Sequence, residues 1–180
     1  MLTQVLFQNQ KELKQEISEV LVEAFPPEER PPVAYFFKSL KRKENELFAY
    51  YDKETFVGFA FLSRYLDVCY IFFLAVKKEY RHQGFGGQIL EMIKDSNKDS
   101  VLLICYEEVN PQYPNYLERA DRERFYLSHG FKDNKLKTNE YDVIYQTAYI
   151  GKRHVTFNEY KKIFVIGFGK EREKYLKEVR

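Results

Sequence analysis

The most constraining feature of the sequence is a strand, a glycine-rich turn and a helix in direct succession, in residues 70–93. An apolar run ends at Val76, and a charged link leads to a turn that reads RHQGFGG, residues 81–87. Apolar residues then recur at helical spacing. A turn of this kind at a helix N-terminus presents several backbone N–H groups to an anion. The segment therefore predicts an anion-binding turn.

A second apolar strand follows this helix. Residues 101–106 form a continuous apolar run between polar clusters, which is typical of a strand buried on both faces. Together with strand 70–76 and helix 85–94 it predicts a right-handed βαβ unit with parallel strands. Ligands of open α/β sheets bind at the carboxyl edge of such strands, where Val76 and Glu107 both fall.

Upstream of this unit, the apolar spacing predicts two helices and then three strands. The helices cover residues 11–25 and about Val33 to Lys41, and the strands cover residues 46–52, 55–65 and 67–76. Short polar interruptions indicate antiparallel hairpins. Gly58, inside the second strand, indicates a bulge or the close approach of another backbone.

Downstream of the unit, a proline-containing loop leads to a helix over about 117–129, which Gly130 ends as a C′ residue. Two strands are predicted around 131–136 and 141–149. A further helix opens with a capping box formed by Thr156 and Glu159, and the sequence GKEREKYLKEVR predicts a charged helical end. We expect a single domain over 1–150 with a helical extension of the same domain over 151–180.

Composition excludes several classes of protein. The net charge is only +2 and the basic residues alternate with acidic ones, so a nucleic-acid partner is not expected. No apolar run reaches the length of a membrane span, and the N-terminus lacks the pattern of a signal peptide. Cys69 and Cys105 lie in apolar runs, which predicts buried free thiols, a cytoplasmic location and no metal site.

Three features in this order resemble the GNAT superfamily of acetyl-CoA-dependent N-acetyltransferases. They are Arg81-x-x-Gly84-x-Gly86 after a strand, a parallel strand after the following helix, and the sequence RFYLSHGF at 124–131. Other glycine-rich interpretations fail: no Gly-Lys-Ser/Thr ends the turn as in a P-loop, and Ile89 stands where a dinucleotide motif needs glycine. The resemblance implies an α/β (α+β) fold. Its sheet is mixed, mostly antiparallel and twisted, with the central parallel βαβ unit splayed for CoA and helices on both faces.

The same resemblance implies acetyl-CoA as cosubstrate and no metal. The main chain of strand 70–76 near its end would contact the acyl and pantetheine portion, and the glycine-rich turn would hold the pyrophosphate. A Cβ at Gly84 or Gly86 would obstruct that approach. The implied cofactor-binding residues are Leu74, Ala75, Val76, Arg81, His82, Gln83, Gly84, Phe85, Gly86 and Gly87.

Two catalytic residues are expected, one from the motif match and one from its place at the end of a strand. Tyr126 matches the family tyrosine that protonates the departing thiolate, although a packing role is also open because the chain has 15 tyrosines. Glu107, at the end of strand 101–106, is the expected general base, with Glu28 and Glu29 as substitutes. The backbone N–H of Val76 is the expected oxyanion donor.

The chain departs from the family where many members carry Asn and Ala before the tyrosine, because Arg119 and Arg122 stand there. These arginines put an Asn-mediated hold on the pantetheine arm in doubt and could instead contact cofactor phosphates. Among the histidines, His82 is expected to contact solvent or phosphate, His129 is expected to cap a helix, and His154 is expected to be exposed.

The acceptor is left open by the sequence. The segment PPEERPP, residues 26–32, is either a solvated elbow between helices or a wall of a binding cleft, in which Glu28, Glu29 and Arg30 would contact substrate. A polyamine, an amino acid, an antibiotic and a peptide N-terminus all suit these mixed charges. The expected function is acetyl transfer to such a primary amine, by a monomer or homodimer. The alternative is a non-catalytic acyl-CoA-binding or sensing module, with nucleic-acid binding a distant third.

Overall fold

The structure, a computed structural model, describes residues 2–179 of the 180-residue chain. The helices are α1 Lys11–Ala24, α2 Val33–Ser39, α3 Phe85–Ser96, α4 Tyr116–Ser128 and α5 Phe157–Phe168, with 3₁₀ turns at Lys78–Tyr80 and Lys170–Tyr175. The strands are β1 Leu2–Leu6, β2 Asn45–Asp52, β3 Thr55–Tyr65, β4 Val68–Val76, β5 Val101–Glu107, β6 Lys132–Glu140, β7 Val143–Ile150 and β8 Leu176–Val179.

The described strands form a mixed, mostly antiparallel sheet in the order β1-β2-β3-β4-β5-β7-β6-β8. The hairpin pair β2–β3 is antiparallel, as the sequence predicts, and the pairs β1–β2, β5–β7, β6–β7 and β6–β8 are antiparallel too. This architecture confirms the predicted fold class.

The chain divides into two compact units. The N-terminal unit comprises the described residues up to Ser63 and the segment Ile71–Ser96, and the C-terminal unit comprises Arg64–Tyr70 and the residues from Asn97 onward. The predicted division into a domain over 1–150 and an extension over 151–180 stays a prediction.

Aromatic side chains form the core of the N-terminal unit. The ring of Phe36, on α2, is fully buried and lies 6.0 Å from the ring of Phe59, 5.1 Å from that of Phe61 and 5.6 Å from that of Phe73. Ring pairs at these separations and angles add to the burial of apolar area. The high phenylalanine content thus fixes α2 against β3 and β4.

The C-terminal unit is held partly by buried polar contacts. The amide of Asn134, on β6, donates to the Thr147 hydroxyl and the Val155 carbonyl, and accepts the Val155 N–H. These bonds anchor the start of α5, where Thr156 and Glu159 form the predicted capping box.

Two predictions at the chain ends need correction. Strand β1, of which only Leu2 is buried, was not predicted, because an edge strand with little buried surface has no clear alternation. The charged helical end predicted from Gly169 is wrong: after the 3₁₀ turn, residues Leu176–Val179 form strand β8 on the edge of β6. Backbone pairing with β6 outweighs the helix propensity of Lys and Glu in this segment.

Candidate active site

The glycine-rich turn has the backbone conformation of an anion-binding turn. Two of the residues that precede α3 have a left-handed backbone conformation, with φ of +60° at His82 and +82° at Gly84. Among the described residues, no heavy atom outside the neighbouring ones lies within 4 Å of where a Cβ on Gly84 would stand. Glycine is therefore required there by the backbone angle, and the space beside it is open.

The first turn of α3 supplies the N–H groups. The N–H of Gln88 donates to the carbonyl of Gly84 at 3.1 Å, so the N–H groups of Phe85, Gly86 and Gly87 precede the first intrahelical bond. The helix dipole adds positive potential at the same place. His82, Gln83 and Gly84 are exposed, and the three residues after them are half-buried.

Arg81 braces the turn from inside the N-terminal unit. Its Nε donates to the carbonyl of Val76 at 3.0 Å, and its guanidinium forms an ion pair with Glu23 of α1 at 2.5 Å. The side chain is one-third exposed. The arginine of the motif therefore ties the end of β4 to the turn, and an anion on its guanidinium would compete with Glu23.

The end of β4 lies close to β3, as Gly58 predicts. An ideal Cβ on Gly58 would stand 2.3 Å from the carbonyl oxygen of Ala75, and the pairing of β2 with β3 shifts register opposite the same region. The N–H of Lys77 donates to the carbonyl of Val57. Because backbone groups alternate in direction along a strand, those of Leu74 and Val76 point away from β3.

The segment between α1 and α2 is a turn. The N–H of Glu29 donates to the carbonyl of Pro26, and Nε of Arg30 donates to the carbonyl of Phe25, the residue that ends α1. Glu28 is exposed, while Glu29 and Arg30 are half-buried. The elbow interpretation describes this geometry, and the predicted substrate contacts of these three residues stay predictions.

Tyr126 lies in the C-terminal unit, in the last turn of α4. After the cap residue His129, Gly130 has φ of +91°, its N–H donates to the carbonyl of Leu127, and the N–H of Phe131 donates to the carbonyl of Tyr126. This is a Schellman motif, in which the residue after the glycine packs on the third from the helix end. The ring of Phe131 accordingly lies 5.8 Å from that of Tyr126. The motif thus fixes the tyrosine at the end of its helix.

The surroundings of Tyr126 are mostly aromatic. Its ring lies 5.8 Å from that of Tyr106 on β5, and burial raises its pKa to about 12 while the charge of Arg122 acts in the opposite direction. The hydroxyl is therefore protonated at neutral pH and can donate a hydrogen bond.

Glu107 is buried between two arginines. Its side chain is 3% exposed, and its oxygens contact the guanidinium groups of Arg119 at 2.7 Å and Arg122 at 2.6 Å. All three residues stand out in the sequence, but their meeting was not predicted. Both carboxylate oxygens are engaged by guanidinium groups, so this geometry does not favour Glu107 as a general base.

The histidines lie where the sequence predicts. His129 caps α4, with Nδ1 2.7 Å from the carbonyl of Phe125, and His154 is exposed.

Within residues 2–179, no cluster of three or more His, Cys, Asp or Glu side chains is arranged to hold a metal ion.

Comparison with known proteins decides the family. The model of the acetyltransferase (GNAT) domain matches residues 43–133, half of the chain. The chain belongs to the GNAT family. The matched GNAT segment contains the glycine-rich turn, Glu107 and Tyr126, whereas Glu28, Glu29 and Arg30 precede it.

Individual relatives agree with this assignment. YjbC of Bacillus subtilis, a curated protein whose name describes an acetyltransferase, is 30% identical over an alignment of 130 residues, and the match covers 68% of this chain and 64% of YjbC. A structure from Bacteroides thetaiotaomicron with a GNAT-family name has a TM-score of 0.74 at 20% identity, over 94% of this chain and 98% of that one. An aminoglycoside 6′-N-acetyltransferase complexed with coenzyme A has a TM-score of 0.65 at 18% identity, over 83% of this chain and 98% of that one. These structural likenesses support the GNAT fold.

One polar network of this GNAT chain was missed by the sequence analysis. Within the C-terminal unit, the hydroxyl of Tyr70 hydrogen-bonds the thiol of Cys105 and the hydroxyl of Tyr160, which donates to Glu140. Cys69 is a buried free thiol as predicted, but Cys105 is only half-buried. Burial raises the pKa of Glu140 to about 7, against the effect of hydrogen bonds from Tyr160 and Thr138. The members come from four elements and share no sequence pattern, so only the fold reveals them.

The helices of this GNAT chain also bear on membrane association. In the part of the chain that the structure describes, none of them combines the length and the apolar character needed to cross a bilayer.

Proposed function

We propose that this GNAT-family chain is an N-acetyltransferase that moves the acetyl group of acetyl-CoA to a primary amine. The observation that carries the proposal is the turn at 81–87, where left-handed residues precede the first N–H groups of α3 inside the segment that matches the family. Such a turn suits a pyrophosphate. One structural relative is, by its name, bound to coenzyme A.

The donor contacts follow from the N-terminal unit. The backbone of Arg81, His82, Gln83, Gly84, Phe85, Gly86 and Gly87 would hold the pyrophosphate. The backbone of Leu74, Ala75 and Val76 would pair with the pantetheine arm and the acyl group. The N–H of Val76 is our proposed oxyanion donor, supported by its direction away from β3.

The chemical step needs no metal. The nitrogen of a neutral amine attacks the thioester carbon, the carbon–sulfur bond breaks, and the electron pair leaves on sulfur. Tyr126 gives its hydroxyl proton to that thiolate and recovers a proton from solvent, while the new amide nitrogen releases its extra proton to solvent. The products are the acetylated amine and the free thiol of CoA.

The general-base role predicted for Glu107 stays a prediction, and its two ion pairs oppose it. We therefore propose attack by an amine that is already neutral, without a side-chain base. The rate should then rise with pH until the acceptor amine is deprotonated.

The acceptor site is proposed from charge alone. Glu28 and Glu29 would attract a cationic amine, and Arg30 would meet a carboxylate if it left the carbonyl of Phe25. An aminoglycoside, a polyamine, an amino acid and a peptide N-terminus are the acceptor classes to test. We expect a cytoplasmic monomer or homodimer that needs neither nucleic acid nor a membrane.

A non-catalytic acyl-CoA-binding module is the second candidate, favoured by the two ion pairs that engage Glu107. One experiment separates the two. The protein is incubated with acetyl-CoA and the four acceptor classes while free thiol is followed, and CoA binding is measured by calorimetry. Thiol release that depends on one acceptor, and that falls at least about tenfold in Tyr126→Phe with unchanged CoA affinity, supports the enzyme.

Other outcomes distinguish the alternatives. Tight CoA binding without turnover on any acceptor supports the sensing module, whereas absence of CoA binding contradicts both candidates. A Tyr126→Phe variant that retains full turnover would remove Tyr126 from the mechanism but leave the enzyme assignment intact.

A further inference from the structure

Arg122 is placed to act on Tyr126. The two residues lie four positions apart on α4 and therefore share one face of the helix. The Nη1 of Arg122 donates to Glu107 at 2.6 Å, at the carboxyl end of β5, and the arginine side chain is still 35% exposed. The guanidinium is thus held by Glu107 and is partly exposed to solvent.

Glu107 is itself fixed by a second arginine. Arg119 pairs with the other carboxylate oxygen, donates to Asn115 at 2.8 Å and to the carbonyl of Glu108, and stacks over the ring of Tyr113 at 3.9 Å. We call Glu107, Arg119 and Arg122 the arginine cluster. Two guanidinium groups and one carboxylate leave it with a net charge of +1, and both arginines lie on α4, the helix that carries Tyr126.

A positive charge matters here because of the direction of proton transfer. A thiol has a pKa of about 8.5, whereas burial raises that of Tyr126 to about 12. Transfer from the tyrosine to the thiolate is therefore uphill, and any charge that stabilises the tyrosinate or the thiolate lowers the barrier.

The other side chains that affect Tyr126 are not cations. On β5 they are the thiol of Cys105 and the phenol of Tyr106, which donates to Glu123 of α4. Phe125 and Phe131 contribute rings only. Among these neighbours in the described chain, Arg122 is the group whose charge favours an anion at the tyrosine hydroxyl.

We propose that Arg122 is a positioning residue that supports proton donation by Tyr126, and that Glu107 acts by holding Arg122 in place. The proposal rests on the acetyl transfer proposed above. It gives a role in the chemistry to Arg119 and Arg122, which stand where many family members carry Asn and Ala. It also gives Glu107 a role in which it need not accept a proton.

The decisive test reads the ionisation of residue 126 and needs no acceptor. Difluorotyrosine, which ionises several pH units below tyrosine, replaces Tyr126, and its titration is followed by fluorine NMR. Arg122→Gln should weaken its acidity about tenfold, and Arg122→Lys should restore most of it. Arg124→Gln is the matched control, because Arg124 lies on the same helix, is 75% exposed and pairs with Asp121. Equal titration in Arg122→Gln and the parent protein would overturn the proposal.

Kinetics on an active acceptor provide the second test. Arg122→Gln should lower kcat about tenfold without changing the affinity for CoA, and this effect should vanish in a Tyr126→Phe background. Glu107→Asp, which keeps the charge but shortens the side chain that holds Arg122, should act in the same direction and add little in the Arg122→Gln variant. A full additional loss from Glu107→Asp in that variant would contradict the holding role. Failure of CoA binding in the parent protein would refute the proposed function alone, because the fluorine titration does not depend on it.

Discussion

The buried carboxyl of Glu140 should make the stability of this protein fall as pH rises. Glu140 ends β6, directly before a turn in which Tyr141 and Asp142 both have positive φ. It accepts hydrogen bonds from the hydroxyls of Tyr160 and Thr138. Burial disfavours its charged form and raises its pKa from the ordinary 4.5 to about 7.

The sign follows from proton binding. Between pH 4.5 and 7 the folded state holds a proton on Glu140 that the unfolded state has released, so the free energy of unfolding falls with rising pH in that window. The difference between 4.5 and about 7, at 1.36 kcal/mol for each pH unit, corresponds to about 3 kcal/mol. Because Glu140 as a whole residue is half-buried, so that solvent can screen its carboxyl group, this value is an upper bound.

Glu140→Gln tests this reasoning, because glutamine is neutral at every pH and its oxygen can still accept both hydrogen bonds. The free energy of unfolding of each protein is measured by urea titration at several pH values from 5 to 8. The signal is far-UV circular dichroism, since the chain has no tryptophan. From pH 5 to pH 8 the free energy of unfolding of the variant should rise by up to about 3 kcal/mol relative to that of the wild type.

Glu159→Gln is the matched control. Hydrogen bonding to Arg153 lowers the pKa of Glu159, so its contribution to stability is complete above about pH 5 and is lost only at lower pH. The difference in free energy of unfolding between Glu159→Gln and the wild type should therefore not change from pH 5 to 8. If the corresponding difference for Glu140→Gln is also independent of pH, or changes in the opposite direction, the burial argument is refuted.

Three further predictions concern the two units. Gly58→Ala places a Cβ 2.3 Å from the carbonyl of Ala75, so it should destabilise the protein by about 1–3 kcal/mol in thermal unfolding and weaken CoA binding in calorimetry. Glu23→Gln should change stability by less than about 1 kcal/mol, because the ion pair with Arg81 is partly exposed, yet raise CoA affinity about threefold at low salt; unchanged affinity would show that Glu23 does not compete for Arg81. Asn134→Ala removes three buried hydrogen bonds and should lower the free energy of unfolding by about 2–4 kcal/mol, measured with urea; a loss below about 0.5 kcal/mol would contradict its anchoring role.

Much of the fold could be predicted from sequence because its elements have strong local patterns. Helix α1 has four buried positions at helical spacing, and the strands that became β3 and β4 are rich in aromatic and β-branched residues. Strands β1 and β8 lack such patterns. They are edge strands that exist because a neighbouring strand offers backbone partners, so their formation depends on the completed sheet.

The candidate site also combines features that are encoded locally in the sequence with features that depend on the tertiary structure. The sequence by itself determined the glycine-rich turn, the helix that follows it and the Gly130–Phe131 ending that fixes Tyr126, because left-handed residues, helix starts and helix ends are encoded within a few positions. Only the tertiary structure decided that Glu107 lies between Arg119 and Arg122, that Arg81 pairs with Glu23, and that Tyr70, Cys105, Tyr160 and Glu140 form one network. Charge pairing and burial depend on which side chains distant in sequence become neighbours, and those conditions set the protonation state and the chemistry of each group.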